Sequence, residues 1–246
     1  MEFPLRGGQI IMSKRIACSI ITVLICLLIY PVLLVTSIEL VTYDKSFYID
    51  QYKKLDTATT IGISESDLHR VTWDLLDYIK DKKATLKDIN ADINGDMRQV
   101  FNDKEIAHMV DVKDLFKFAT DVRAYSIIAI VVLLLVILTF YRKMAARKLA
   151  LSFLWTTGAL IVLSAILYLL IQSNFSYYWD LFHHIFFDND LWLLDPNTDI
   201  MIQMVPEAFF YSAVTRVILY FSTASIILAL VSIVYTISTR NIRKAT

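Results

Sequence analysis

Four stretches of this chain carry no charged residue and are long enough to cross a bilayer: Ile16 to Ile38, Ala124 to Tyr141, Leu149 to Trp179 and Val217 to Thr239. A helix rises about 1.5 Å per residue and the hydrocarbon core is about 30 Å thick, so about 20 apolar residues suffice for one crossing. The second run, at 18 residues, is the shortest and still falls within range. With 57% apolar residues and only five glycines, the chain has far more apolar side chain than one water-exposed domain can bury. These runs predict an all-α membrane protein with four transmembrane helices at about 16–38, 124–141, 149–172 and 217–239. The whole chain, 1–246, reads as a single integral membrane domain with loops at about 39–123 and 173–216.

The net charge of zero conceals an asymmetry that sets orientation. Arg6, Lys14 and Arg15 precede the first run, Arg142, Lys143, Arg147 and Lys148 link the second to the third, and Arg240, Arg243 and Lys244 follow the fourth. Glu2 is the only acid in these three segments; the other 23 lie in the two remaining loops. Short segments rich in Lys and Arg stay in the cytoplasm, so both termini are expected there and both loops on the outer face. Four crossings place all three basic segments on one side, as the charge pattern requires. The first run resembles a signal peptide in having basic residues ahead of an apolar stretch, but its length and the Ile38-Glu39-Leu40-Val41 sequence that follows argue for a retained anchor. Cys18 and Cys26 both sit inside it, about 12 Å apart along a helix, too far to bridge.

The first outer loop reads as a small helical cap. Ser64-Glu65-Ser66-Asp67 resembles a capping box, followed by Leu68, Val71, Leu75, Tyr78 and Ile79 at helical spacing, so a helix is predicted to about Lys80. Asn94-Gly95-Asp96 marks a turn, strand signals are weak, and Asn102-Asp103 opens a second helix carrying Ile106, Met109, Val110, Val112, Leu115 and Phe116. In the second loop, the aromatic segment from Phe175 to Phe187 is too short to span. It has the Tyr and Trp content of an interfacial hairpin, with Pro206-Glu207 opening the fourth transmembrane helix.

Chemistry-bearing residues are sparse. There is no GxSxG, no phosphate loop and no glycine-rich dinucleotide motif, so Ser-His-Asp hydrolysis and nucleotide chemistry have no support. The four histidines, His69, His108, His183 and His184, all fall in the outer loops. His69 reads as a surface residue. His108 has Asp111 at i+3 on the same helix face, a spacing that lets a carboxylate orient an imidazole and raise its basicity. The competing reading is an ordinary ion pair on a capped helix. His183 and His184 point about 100° apart on a helix, among apolar aromatics where a titratable group is costly to place. A His/carboxylate zinc set drawn from His108, Asp111, His183 and His184 is the rival reading, weakened because no close ligand pair shares one helix face. Arg216, just before the fourth run, reads as a headgroup anchor or as a donor to a phosphate or oxyanion. Asn174-Phe175-Ser176 fits a glycosylation sequon.

Two segments resemble a known family. Glu105-Ile106-Ala107-His108-Met109-Val110-Asp111-Val112-Lys113 is similar to its first signature. Phe182-His183-His184-Ile185-Phe186-Phe187, followed by Trp192 and by Pro206-Glu207-Ala208-Phe209-Phe210, is similar to its second. This is the four-helix bacterial membrane family that includes the lipoprotein intramolecular transacylases. The resemblance implies an acyltransferase that moves the sn-2 acyl chain of a diacylglyceryl-modified lipoprotein to the α-amine of its N-terminal cysteine, giving a lyso-form lipoprotein. It implies a multi-pass protein of the bacterial cell membrane with its active site at the outer leaflet. Its partners would be the lipoprotein and the lipid bilayer, with no cofactor, no metal and no nucleic acid. It places the two functional histidines at His108 and His183, with Asp111, His184, Trp192 and Arg216 in supporting positions. On this reading His108 is the base, oriented by Asp111, and His183 the acid or oxyanion partner. A lipoprotein- or lipid-binding subunit without chemistry and an interfacial ester hydrolase are the alternatives.

Overall fold

A computed structural model describes residues 5–245; the side chains of residues 5–11, 143–144 and 240–245 lie outside that description. Glu2, Arg6, Lys143, Arg240, Arg243 and Lys244 of the charge argument therefore lie outside the described residues. The elements in chain order are α1 (Leu5–Thr42), α2 (Lys45–Leu55), α3 (Thr57–Ile61), α4 (Glu65–Ile79), β1 (Asn90–Ile93), β2 (Asp96–Gln99), α5 (Asp103–Phe140), α6 (Arg142–Ser173), α7 (Phe175–Phe186), α8 (Ile200–Met204) and α9 (Glu207–Ala245). Four of these helices are long and apolar enough to cross a membrane, over Met12–Thr42, Asp103–Phe140, Ala145–Ser173 and Glu207–Thr239. The first and fourth contain their charge-free runs whole; the second ends at Phe140, just before Tyr141, and the third ends at Ser173, so that the rest of its run, up to Trp179, falls at Asn174 and on α7. The protein is a multi-pass, all-α membrane protein.

Contacts divide the chain into two compact units. The first comprises residues up to Ser37, Asp121–Leu170 and Ile218 onward. Its interior is small. Cys18, Ile25, Ile137 and Ala145 form one buried cluster, and Cys26, Tyr30 and Phe153 a second, with Phe221 packed against it. Both cysteines are free. Lipid tails are as apolar as leucine, so helices in a bilayer associate through close packing and interhelical hydrogen bonds. Both occur here: Thr22 bonds Ser152 at 2.9 Å, and the Tyr30 hydroxyl bonds Thr157 at 2.7 Å beside a stacked Phe153 ring. Leu135, Val162 and Val234 turn outward, a disposition that hydrocarbon solvates and water does not.

The second unit, Ile38–Thr120 with Ile171–Val217, is built on local signals. Ser64 caps α4 by accepting from the Asp67 amide at 3.0 Å, and Leu68, Val71, Leu75 and Tyr78 are buried along one face. The turn at Asn94 and Gly95 has both residues at positive φ, the two-residue geometry that matches strand twist, and it joins β1 to β2 in an antiparallel pair. The strands of this hairpin leave almost no signal in the sequence, because four residues carry little periodicity. Gly62 ends α3 at φ +76° beneath that turn, where a Cβ would fall 2.0 Å from Asn94 Oδ1; only glycine fits. The sequence also carries only a faint sign of α2, capped by Asp44, whose Phe47, Tyr48 and Tyr52 are buried.

The predicted cap helix after Asn102 and the second membrane run are one continuous helix, α5. No glycine or proline interrupts 103–140, so nothing in the backbone ends the first part before the second begins. The charge-free part of α5 begins at Ala124. The turns before it carry Asp103, Lys104, Glu105, Asp111, Lys113, Asp114, Lys117, Asp121 and Arg123 and stand outside the membrane-spanning segment.

Candidate active site

The first turn of α5 is fixed by a reciprocal pair. Asn102 Oδ1 accepts from the Glu105 amide at 3.0 Å, while Glu105 Oε2 accepts from the Asn102 amide at 2.7 Å. The other Glu105 oxygen takes the amide of Met201 at 2.7 Å, which binds the start of α8 to the start of α5. Asn102 also donates to Asp199 at 2.9 Å, and Asp199 holds the Asp195 amide at 2.8 Å. Glu105 is 1% exposed, and burial pushes its carboxyl above the usual carboxylate range against the pull of these amides. The sequence shows Glu105 only as part of a signature; the Asn-x-x-Glu spacing is the signal that identifies its capping role.

His108 follows Glu105 by one turn on the same face. It is 8% exposed, and His183 on the last turn of α7 is 5% exposed. Their ring centroids lie 6.2 Å apart, with Phe187 packed on both at 5.4 and 5.7 Å. Around His183, Trp192 stacks face to face at 4.6 Å and 19°, Trp179 meets it edge-on at 4.6 Å, and Phe182 packs at 5.4 Å. His184 is exposed and meets Trp192 at a near right angle, 5.1 Å away. The segment supplying Trp192 is held by Lys104, which donates to the Leu193 carbonyl, and by Asn189, whose amide donates to Asp111 at 2.9 Å.

The electrostatics keep both rings neutral near pH 7. Burial, and after it the repulsion of a charge on His183, depresses His108 to about 4, the Asp111 carboxylate only partly offsetting them. Burial also depresses His183, opposed by the Trp179 carbonyl and Asp180. His183 Nδ1 lies 2.8 Å from the Trp179 carbonyl oxygen. That oxygen can only accept, so Nδ1 carries the proton of the neutral ring and Nε2 holds the free lone pair. His108 Nδ1 is buried and meets no partner among the described residues. The hydrogen bond expected between Asp111 and His108 is thus not formed: Asp111 bonds Asn189 and reaches the imidazole through its charge alone.

Arg216 forms an ion pair with Asp44 at 3.1 Å and lies over the Phe47 ring at 5.2 Å. His69 stacks between Tyr52 and Trp73. Among the described residues, no three His, Cys, Asp or Glu side chains gather in a metal-ligand arrangement.

Four helices long and apolar enough to cross a bilayer, together with two buried histidines in an aromatic enclosure, define a class: a polytopic membrane protein with a paired-imidazole site. The chain belongs to the lipoprotein intramolecular transacylase Lit family, whose sequence profile matches residues 21–210, and is accordingly an acyltransferase. Among solved structures, it is similar to the membrane-integral lipoprotein intramolecular transacylase Lit from Bacillus cereus. That match has a TM-score of 0.70 and 21% identity, over 92% of this chain and 98% of the other. A histidine-to-arginine variant of that protein matches at 0.73 and 22%, over 96% and 99%, and a histidine-to-alanine variant at 0.72 and 22%, over 94% and 99%. At this identity the likeness is one of fold. No curated protein matches the sequence.

Proposed function

We propose that the protein transfers the sn-2 acyl chain of a diacylglyceryl-modified lipoprotein to the α-amine of that lipoprotein's N-terminal cysteine, with His183 and His108 as its catalytic residues. The observation carrying this reading is the pairing of two neutral imidazoles, one of which has its basic nitrogen fixed. An α-amine attacks only when neutral. His183 Nε2 takes a proton from the attacking nitrogen as the N–C bond forms, and the ester carbonyl becomes tetrahedral. The intermediate then collapses, the ester C–O bond breaks, and the imidazolium of His183 returns the proton to the departing glyceryl oxygen. His108, held neutral, contributes an N–H to the developing negative charge, as a neutral imidazole can when its pKa is driven down. This reverses the division of labour read from the sequence, for two reasons. The Trp179 carbonyl fixes the tautomer of His183, and Asp111 does not hold His108.

Both reacting groups belong to one molecule, so orientation and desolvation supply much of the rate. In this reading Asp111 and Asn189 hold the Trp192 segment, and His184 edges it. The termini are cytoplasmic and the site lies at the outer leaflet of the bacterial membrane, supported by the basic bias of Lys14, Arg15, Arg147 and Lys148 against the acidic loops. There the acyl chains stay in lipid while the peptide extends into water. The test is mass spectrometry of a diacylglyceryl lipopeptide incubated with the protein in nanodiscs. Transfer leaves the mass unchanged and places an acyl group on the N-terminal fragment. Loss of one acyl mass would mean hydrolysis, and an unaltered N-terminus would mean binding without chemistry; either result ends the proposal.

A further inference from the structure

The indole of Trp192 has no part in the steps written above, yet its placement carries a cost that packing does not require. The residue is 9% exposed and lies flat on the His183 ring. Its Nε1 is buried and meets no acceptor among the described residues. A buried donor left without a partner is destabilising, and tryptophans in an interior ordinarily reach one. Phenylalanine would offer a stacking face with no such penalty. The other unpartnered buried nitrogen here belongs to His108, whose ring neighbours the same imidazole. Two unsatisfied polar atoms flanking one histidine point to a ligand that supplies what the protein withholds.

That ligand must accept a hydrogen bond, since an indole nitrogen can only donate. It must also fit a layer enclosed by aromatic rings, which excludes a hydrated anion. A carboxylic ester carbonyl meets both conditions. The polar atoms of stacked rings lie in their own planes, one ring thickness apart. In ester aminolysis the amine and the carbonyl oxygen belong to adjacent groups, a separation compatible with two rings stacked at 4.6 Å.

We propose that Trp192 is a catalytic residue whose Nε1–H donates to the carbonyl oxygen of the ester under attack. The inference rests on the transacylase chemistry above. As the amine nitrogen bonds to the carbonyl carbon, the C=O π pair moves onto the oxygen, and the indole N–H holds the resulting alkoxide. When the pair returns to re-form C=O, the glyceryl oxygen leaves with the proton carried by His183. The bond to Trp192 is strongest in the tetrahedral state, so it acts on kcat more than on KM.

The test replaces Trp192 in the full-length protein with β-(3-benzothienyl)alanine, which keeps the bicyclic shape and stacking face but has sulfur where the N–H stood. With a diacylglyceryl lipopeptide in nanodiscs, kcat falls about 100-fold, KM stays within about twofold, and the melting temperature does not fall. A second substrate carries a thionoester at sn-2, whose C=S accepts hydrogen bonds poorly; the wild-type preference for the oxo ester collapses in the variant. Trp192→Phe shows the same loss of preference. A variant within about threefold of wild type in kcat, or one that is slower with its oxo preference intact, overturns the role. If the wild-type protein itself moves no acyl chain, the transacylase reading falls, and this role with it. If it does and the variant matches it, only the role of Trp192 falls.

Discussion

The carbonyl oxygen of Trp179 lies 2.8 Å from Nδ1 of His183, one helical turn further along α7. This contact distinguishes His183 from its neighbour. It fixes the ring's rotation and tautomer and leaves Nε2 basic, whereas His184 is exposed and has no such bond among the described residues. His183→Ala is therefore expected to lower kcat by about 10²–10⁴-fold, and His184→Ala by no more than about threefold. Initial rates of acyl transfer followed by mass spectrometry check both. Equal losses would mean the tautomer argument is wrong.

A second prediction concerns acid. The folded protein holds His108 neutral to about pH 4, whereas an unfolded chain takes up that proton near its ordinary value of 6.5. The unfolded state thus binds more protons between these values, and stability falls as pH drops from about 6.5 toward 4. Above 6.5 neither state is charged and the residue contributes no slope. Melting temperature in detergent should decline below pH 6.5, and His108→Leu should flatten that part of the curve. A curve unchanged by the substitution would rule out His108 as its source.

Glu105 is the third target. Its two carboxylate oxygens each take a backbone amide, from Asn102 and from Met201. Glu105→Ala leaves both donors without an acceptor, a loss of about 1–3 kcal/mol for each. It also loosens the turn that precedes His108. Glu105→Gln presents an NH₂ to one of the two amides and should fall between alanine and wild type. Thermal unfolding and kcat should decline in the same order across the pair. A fully active, fully stable Glu105→Ala protein would contradict the capping role.

Asp111 offers a contrast. Its bond is to Asn189, and asparagine at 111 still offers an oxygen to that donor. Removing the charge pushes His108 lower still, which leaves an already neutral ring neutral. Asp111→Asn should keep kcat within about threefold, far from the roughly 10⁴-fold loss that follows removal of the carboxylate from a catalytic triad. A large loss would restore Asp111 as the orienting partner of His108.

Local rules carried some of this molecule and not the rest. The Ser64 cap and the buried face of α4 followed from spacing, as did the opening of α5 at Asn102, because each depends on residues within a few positions of one another. α2 is faint in the sequence: Tyr48, Tyr52 and Leu55 keep an i, i+4, i+7 spacing over less than three turns, and the groups that enclose its aromatic face, among them Trp73, His69, Thr72 and Phe209, lie elsewhere in the chain. At the site, the residue pattern and the resemblance single out His108 and His183; the local Asn102–Glu105 spacing carries half of the Glu105 role, and its bond to Met201, 96 residues away, is visible only in the fold. The proposed choice between base and donor turns on one backbone carbonyl, that of Trp179, an atom every residue carries and no sequence pattern reveals.

The sequence alone determined that this protein crosses a membrane four times, because each crossing must satisfy its own backbone and bury its own length of apolar side chain. It also determined which loops hold every histidine. Only the tertiary structure decided that a ring on α5 and a ring on α7, 75 positions apart, come within 6.2 Å of each other, and which nitrogen of His183 keeps a free lone pair. Hydrophobic length is additive along a chain and can be read from it. Proton affinity depends on what surrounds an atom in three dimensions, and it cannot.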